Sequence, residues 1–266
     1  MAAPSPTETF IHSKKNTLFI FLSGIFLTNA IIAEVIGVKI FSLEKLLQVA
    51  PAQLHLLPGF ILDFNLTAGV VIWPFVFVTT DIINEYYGKS GVKRISYLAA
   101  GLIGYAFLVI YSVTHLPPAD FWLEINNKTP TGTPFDVNFA FSTIFRQGLG
   151  IIIGSLTAFL VGQLVDVYTF HWLRGLTGSK KIWLRATGST LVSQLIDSFV
   201  VLTVAFYLFG NWSLEQVISV GIINYIYKFG IAILMTPVLY VAHSLIDNYL
   251  GIKQAEKMED SANKSY

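Results

Sequence analysis

The chain has 266 residues, 54% of them hydrophobic and only 12% charged, with a formal net charge of +1. That charged share is about half the roughly 25% of an average soluble domain, and the near-neutral balance gives no basis for nucleic-acid binding. Cysteine is absent, which excludes disulfides and thiolate metal sites. The five histidines (His12, His55, His115, His171, His243) show no metal-ligand spacing, so neither a metal nor a cofactor is expected.

Six apolar stretches, most of them about 20 residues or longer, read as membrane-spanning helices. The first is placed at 17–37. Lys14 and Lys15 precede it as they would a signal peptide, but the run from Thr17 to Ile36 is too long for a typical apolar core and lacks a small-x-small exit. It is therefore expected to stay as an uncleaved helix. It carries Asn29 near its middle and Glu34 in its outer third, within reach of the surface. The connection 38–65 follows, with Phe41 to Val49 expected as a short amphipathic helix on the membrane.

Helix two is placed at 66–84, with Pro74 inside it leaving the Val70 carbonyl without its usual partner. It runs out through Thr79-Thr80-Asp81-Ile82-Ile83-Asn84-Glu85-Tyr86-Tyr87-Gly88, with Gly88 as the cap. Asp81, Asn84 and Glu85 share one face at spacings of three and four. Two acids there oppose the helix dipole, so a cationic partner is expected from Lys93, Arg94 or Arg185. Helix three is placed at 94–115, and a second long connection spans 117–141.

Helix four, at 142–169, has Arg146 near its outer end, either snorkelling to the interface or reaching the site. Gly150, Gly154, Ala158 and Gly162 recur at spacing four and permit close helix contact, static or sliding. Gln163 and Asp166 follow on one face, where Asp166 either faces water or joins the site. Helix five, at 184–209, carries Thr190, Ser193, Gln194 and Asp197 near one face. Helix six, at 216–246, presents Gly221, Asn224 and Lys228 together and contains Pro237. The polar tail from Lys253 to Tyr266 is expected to be disordered. The expected organisation is a tail at 1–16, a six-helix transmembrane domain at 17–250, and a tail at 251–266: an all-α polytopic membrane protein.

Basic residues set the orientation. Lys14, Lys15, Lys89, Lys93, Arg94, Arg174, Lys180, Lys181, Arg185, Lys253, Lys257 and Lys264 fall on one side, and only Lys39, Lys45 and Lys128 on the other. Both termini are therefore expected in the cytoplasm.

An ionisable group well inside an apolar span costs roughly 2.5–3.5 kcal/mol on insertion scales and is by default a functional candidate. By residue count Asp197 and Lys228 both lie near mid-depth. They resolve each other's cost by pairing, either directly as a permanent lock or through a ligand. No GxSxG, HExxH or Walker A pattern is present. Asp166 and Asp197 can be cast as an intramembrane aspartyl protease pair only without that chemistry's accompanying motifs, so an enzyme is not expected.

Several segments together resemble the YhhQ-type queuosine-precursor transporters of the vitamin uptake transporter group. They are Thr80 to Gly88 followed by Lys93-Arg94, then Gly162-Gln163-Leu164-Val165-Asp166-Val167 with Phe170. Trp183-Leu184-Arg185-Ala186, Ser189-Thr190-Leu191, Asp197-Ser198, Asn224-Tyr225, Lys228 and Pro237 follow in the same order. The resemblance covers helices two to six. It implies uptake of 7-cyano-7-deazaguanine or 7-aminomethyl-7-deazaguanine across the bacterial inner membrane for tRNA modification. Candidate substrate contacts are Asp197, Lys228, Asn224, Gln194, Gln163, Asp166, Asp81, Glu85, Arg146 and Asn29. The clusters Gln163/Asp166 and Asp81/Glu85 are expected to approach each other, binding substrate or holding an inner gate through Arg185. Tyr225 or Tyr227 is a candidate for stacking on the flat ring. The expected partners are this deazapurine and the lipid bilayer, with a second copy of the chain or an ATPase module left open. The alternative is a substrate-binding membrane subunit energised by such a module, since this chain has no nucleotide-binding motif of its own.

Overall fold

The computed structural model describes residues 6–37, 39–57, 60–146, 149–177, 182–209 and 211–264. Helices α1 (Pro6–Ile36), α3 (Trp73–Val113), α6 (Leu149–Thr177), α7 (Ile182–Leu202) and α8 (Leu214–Leu250) form the bundle. The short α2 (Leu43–Leu47), α4 (Asp120–Ile125) and α5 (Val137–Phe145) lie in the connections, and α9 (Ile252–Lys264) closes the chain. Among the described residues, five helical stretches are long and apolar enough to cross a membrane: Lys14–Ile36, Trp73–Val113, Ile152–Thr177, Ala186–Leu208 and Leu214–Leu250.

α3 holds the apolar runs expected as helices two and three. Straight, its 41 residues would reach about 60 Å at 1.5 Å per residue, twice a bilayer core. It is not straight. Gly88 has φ 67° and ψ −174°, a conformation open in practice to glycine alone, and it divides the helix into limbs 73–87 and 89–113. Both limbs run beside α1. Near the start of α1, Tyr87 donates to the Lys15 carbonyl at 2.7 Å, and the Gly91 backbone passes close to Phe19. Near its end, Gly69, just before the first limb, meets Ala33 so closely that a Cβ would sit 2.7 Å from its carbonyl oxygen. Ile103 and Phe107 of the second limb bury Ala30 there too. The chain thus turns back at Gly88, the position expected as a cap.

Several boundaries depart from expectation for local reasons. Pro74 sits at the first turn of α3, where a missing N–H costs nothing, so it does not break a helix interior. The stretch expected as helix four is interrupted at Arg146, whose φ −85° and ψ 82° end α5. Beyond Leu202, α7 widens into a π-helical turn, Thr203–Leu208. That turn packs closely on α6: a Cβ on Gly154 would fall 2.8 Å from the Ala205 Cβ. α8 opens with a reciprocal Ser213–Gln216 capping box and contains Pro237, as expected.

The 38–65 connection is more ordered than a surface loop. β1 (Ile40–Ser42) pairs antiparallel with β4 (Asn65–Thr67), and β2 (Leu54–Leu57) with β3 (Phe60–Leu62). The expected surface helix shrinks to α2, capped by Ser42. Glu44 joins the strands by accepting from the Phe64 N–H and the Ser42 hydroxyl. Burial pushes its carboxyl up, but these bonds outweigh it and hold the group below the usual range.

The tail is not disordered over 252–264. Ala255, Met258 and Ala262 of α9 are buried, and Ala255 and Met258 join the core formed by α1, α3, α6, α7 and α8. Their spacing of three and four makes one narrow apolar stripe on an otherwise polar helix.

Candidate substrate-binding site

A cavity opens between the first limb of α3, α7 and α8. It holds about 550 Å³ of protein-free space, part of it open to the surroundings. Asp81 comes from α3, Thr187, Thr190 and Gln194 from α7, and Lys228, Tyr227 and Thr236 from α8. Trp73 and Phe77 make the aromatic wall, stacked with ring centres 5.7 Å apart and planes 21° apart. Their spacing of four places both rings on one face of α3.

Lys228 Nζ donates to Asp197 Oδ2 at 2.5 Å, with the side chains 15% and 23% exposed. Of the two expected arrangements, direct or through a ligand, the structure has the direct pair. It occupies one of three ammonium hydrogens, leaving donor capacity toward the cavity that Lys228 lines. Asp197 itself stands behind Lys228, against Gly162 of α6, where a Cβ would lie 3.5 Å from the Asp197 Cβ. The small-residue stripe therefore brings α6 up to the charged pair.

Gln194 is buried, and its Oε1 has no hydrogen-bond partner among the described residues. An unpaired buried acceptor carries a desolvation cost of about 1–3 kcal/mol, and a ligand donor would offset it. Behind this surface, Thr80 Oγ1 lies 3.4 Å from Gln163 Oε1. Ser193 donates to Asp166 Oδ1 at 3.2 Å. Gln163 thus ties α6 to α3 at Thr80, next to Asp81 in sequence, and Asp166 ties α6 to α7 at Ser193, both from behind the cavity lining.

Four candidates stand elsewhere. Glu85, 0% exposed, pairs with Arg174 Nη2 at 3.3 Å. Arg174 also donates to the Glu85 carbonyl at 3.2 Å and the Glu259 carbonyl at 2.9 Å. A cation opposite the acidic end of the limb is thus Arg174, beyond the expected end of helix four. Lys93 instead donates to the Tyr168 hydroxyl at 3.1 Å, and the Arg185 side chain lies outside the described residues. Arg146 donates to the Thr114 carbonyl at 2.7 Å, fastening α5 to the end of α3. Asn29 donates to Ile25 of its own helix at 2.9 Å. Asn224 is half-buried, one turn from Lys228, and does not line the cavity. Of the tyrosines, Tyr227 lines the cavity, while Tyr225 lies edge-on to Phe229.

Trp73 and Phe77 escaped the sequence reading, although an aromatic pair at spacing four beside a helix-starting Pro was a legible signal. Arg174 escaped because its partner is 89 residues away.

The fold defines a polytopic membrane protein with a mostly apolar cavity between its helices, into which a few polar side chains are set. Comparison with known proteins narrows this. Residues 67–242 match the family described as "Putative vitamin uptake transporter", and the chain belongs to that family. It is 31% identical over 188 residues to the "Probable queuosine precursor transporter" of Bacillus subtilis, covering 70% of this chain and 76% of that one. It is 27% identical over 207 residues to the "Queuosine precursor transporter" of Escherichia coli, covering 77% and 84%. A Haemophilus influenzae protein of the former name is 28% identical over 177 residues, covering 65% and 66%. No solved structure matches the chain.

Proposed function

We propose that this chain takes up a deazapurine precursor of queuosine, 7-cyano-7-deazaguanine or its aminomethyl analogue, across the bacterial inner membrane. The observation that carries this reading is the cavity: an acid, an amide and an ammonium line it together with two aromatic rings. A deazaguanine offers ring N–H and amine donors side by side, with a carbonyl acceptor next to them. Asp81 can accept both donors in a fork. Lys228 and the Gln194 amide can donate to the carbonyl, and Gln194 Oε1 can take a remaining donor. Trp73 and Phe77 suit the flat face. Asp197 holds the Lys228 side chain in place beside the cavity.

The test is uptake in bacteria lacking both precursor synthesis and their own transporter, scored as queuosine in tRNA after feeding 7-cyano-7-deazaguanine. Cells expressing this chain should make queuosine. Absence of queuosine with the chain present at normal membrane level would refute the reading. Uptake by proteoliposomes without ATP would favour a single-chain transporter over a subunit of an ATPase-driven importer.

The same reading takes the two limbs of α3 as separate crossings, giving six spans with both termini and the Gly88 turn in the cytoplasm. Basic residues concentrated at that end support it. Because the chain has no cysteine, single cysteines report cleanly. A cysteine at Ser90 or Lys264 should resist an impermeant thiol reagent in intact cells and react in inverted vesicles, with the opposite pattern at Asn127. A Ser90 cysteine unreactive in both preparations would place the turn inside the membrane and remove a span.

A further inference from the structure

The end of α8 and the terminal helix α9 bring together a histidine and two carboxylates that the cavity does not use. One ligand atom each from His243, Asp247 and Glu259 lie within 4.8 Å of one another. We propose that these residues form a divalent-cation site of the zinc class, which clips α9 onto α8 and the α3 limb. The histidines alone show no metal spacing, because the other ligands are acids, one of them from a different helix.

Three observations on separate elements point to a cation. First, His243 and Asp247 are four apart on α8, so their side chains stand on one face within reach of a single ion. Asp247 lies in the last turn of α8, a turn that has no basic residue. The negative end of the dipole disfavours an anion there and favours a cation, a place that Lys14 of α1 fills in part by donating to the Tyr249 carbonyl at 2.8 Å. Second, the Tyr86 phenol, 1% exposed, donates to Asp247 Oδ1 at 2.6 Å and stands 2.9 Å from His243 Nδ1. With its only hydrogen given to Asp247, its oxygen accepts from Nδ1–H. In the neutral ring this leaves the lone pair on Nε2, as in metal-binding histidines whose other nitrogen donates to an oxygen. Third, Arg174 holds the Glu259 backbone carbonyl at 2.9 Å, so the α9 ligand is positioned independently of its own side chain. Ligands of tetrahedral zinc, at roughly 2.0–2.2 Å from the metal, stand about 3.3–3.6 Å apart, so the three side chains would draw together on binding from their present spread. One imidazole and two carboxylates suit a borderline divalent ion.

The experiment is a Zn²⁺ titration of the full chain, purified in detergent with a histidine-free tag, by competition with a chromophoric chelator. Hydrogen exchange of α9 is followed with and without Zn²⁺. One Zn²⁺ per chain is expected, with slower exchange in α9. Asp247→Asn or Glu259→Gln should each weaken binding at least about tenfold, and Tyr86→Phe by roughly 10–100-fold, as for a residue that orients a ligand. Variants are compared at matched size-exclusion profiles, and Glu259→Gln, on the half-buried α9 face, serves if the others do not fold. Failure of wild type to bind Zn²⁺, or binding unchanged in Glu259→Gln, overturns the proposal.

Discussion

Asp81 and Glu85 lie one turn apart on the same limb of α3, and they meet opposite surroundings. Asp81 lines a cavity beside Lys228, Gln194 and a pair of aromatic rings. Glu85 is sealed against Arg174, with both side chains at or below 1% exposure. The same contrast divides the two charged pairs. Asp197–Lys228 keeps 15–23% of its surface open and stands at a ligand's reach. Glu85–Arg174 is dry and adds backbone bonds to α3 and α9. In the proposed reading, a charge of this bundle serves a ligand where it lines the cavity and locks helices where protein encloses it.

That contrast breaks most sharply at the lock. Removing one member of a buried pair costs about 3–5 kcal/mol, because the other charge is left uncompensated. Arg174→Met should therefore sharply lower the yield of monodisperse protein and the thermal midpoint, and adding Glu85→Gln should restore part of both. Normal stability with lost uptake would instead make Glu85 and Arg174 part of the pathway. The open pair should behave in reverse. Lys228→Met and Asp197→Asn should insert normally yet cut initial uptake roughly ten- to hundredfold, the equivalent of a charge-assisted bond of about 1.5–3 kcal/mol. Normal uptake by both would reduce the pair to a second lock.

Smaller effects sharpen the boundary of the site. Arg146→Ala removes the bond to Thr114 at the far end of α3, so it should cost stability of about 1–3 kcal/mol at most and leave substrate affinity unchanged in an uptake titration. The smallest effect is expected in the 38–65 connection. The Glu44 carboxyl is held below its ordinary range by bonds made only in the folded chain. Its contribution is present above the ordinary Glu value of about 4.3 and is lost as pH falls through the lower folded value. Hydrogen exchange around Phe64 should accelerate over that acid range, and Glu44→Gln should abolish the pH dependence.

The central pair was legible because each residue is a charge in an apolar run and the two fall at matching depth. Gly88 was legible because it ends an apolar period just before a basic cluster. Long-range partners left no local trace. Arg174 sits among connection-like residues and finds Glu85 only once α6 packs on α3. The α9 stripe of Ala255, Met258 and Ala262 is too weakly apolar to stand out against lysine and glutamate neighbours. Arg146, Asn29 and Glu85 fitted a pattern of polar residues in apolar runs, but that pattern cannot tell a cavity wall from a helix cap, a self-bonded amide or a lock. The strands around α2 were hidden because runs of three or four residues carry too little periodicity.

The most direct test of the cavity is equilibrium binding of labelled 7-cyano-7-deazaguanine to the purified chain, comparing wild type with Asp81→Asn. The account predicts saturable binding by wild type and an affinity at least about tenfold weaker in the variant, from loss of the forked carboxylate bonds, at unchanged thermal midpoint. Equal affinity in the two proteins would contradict it.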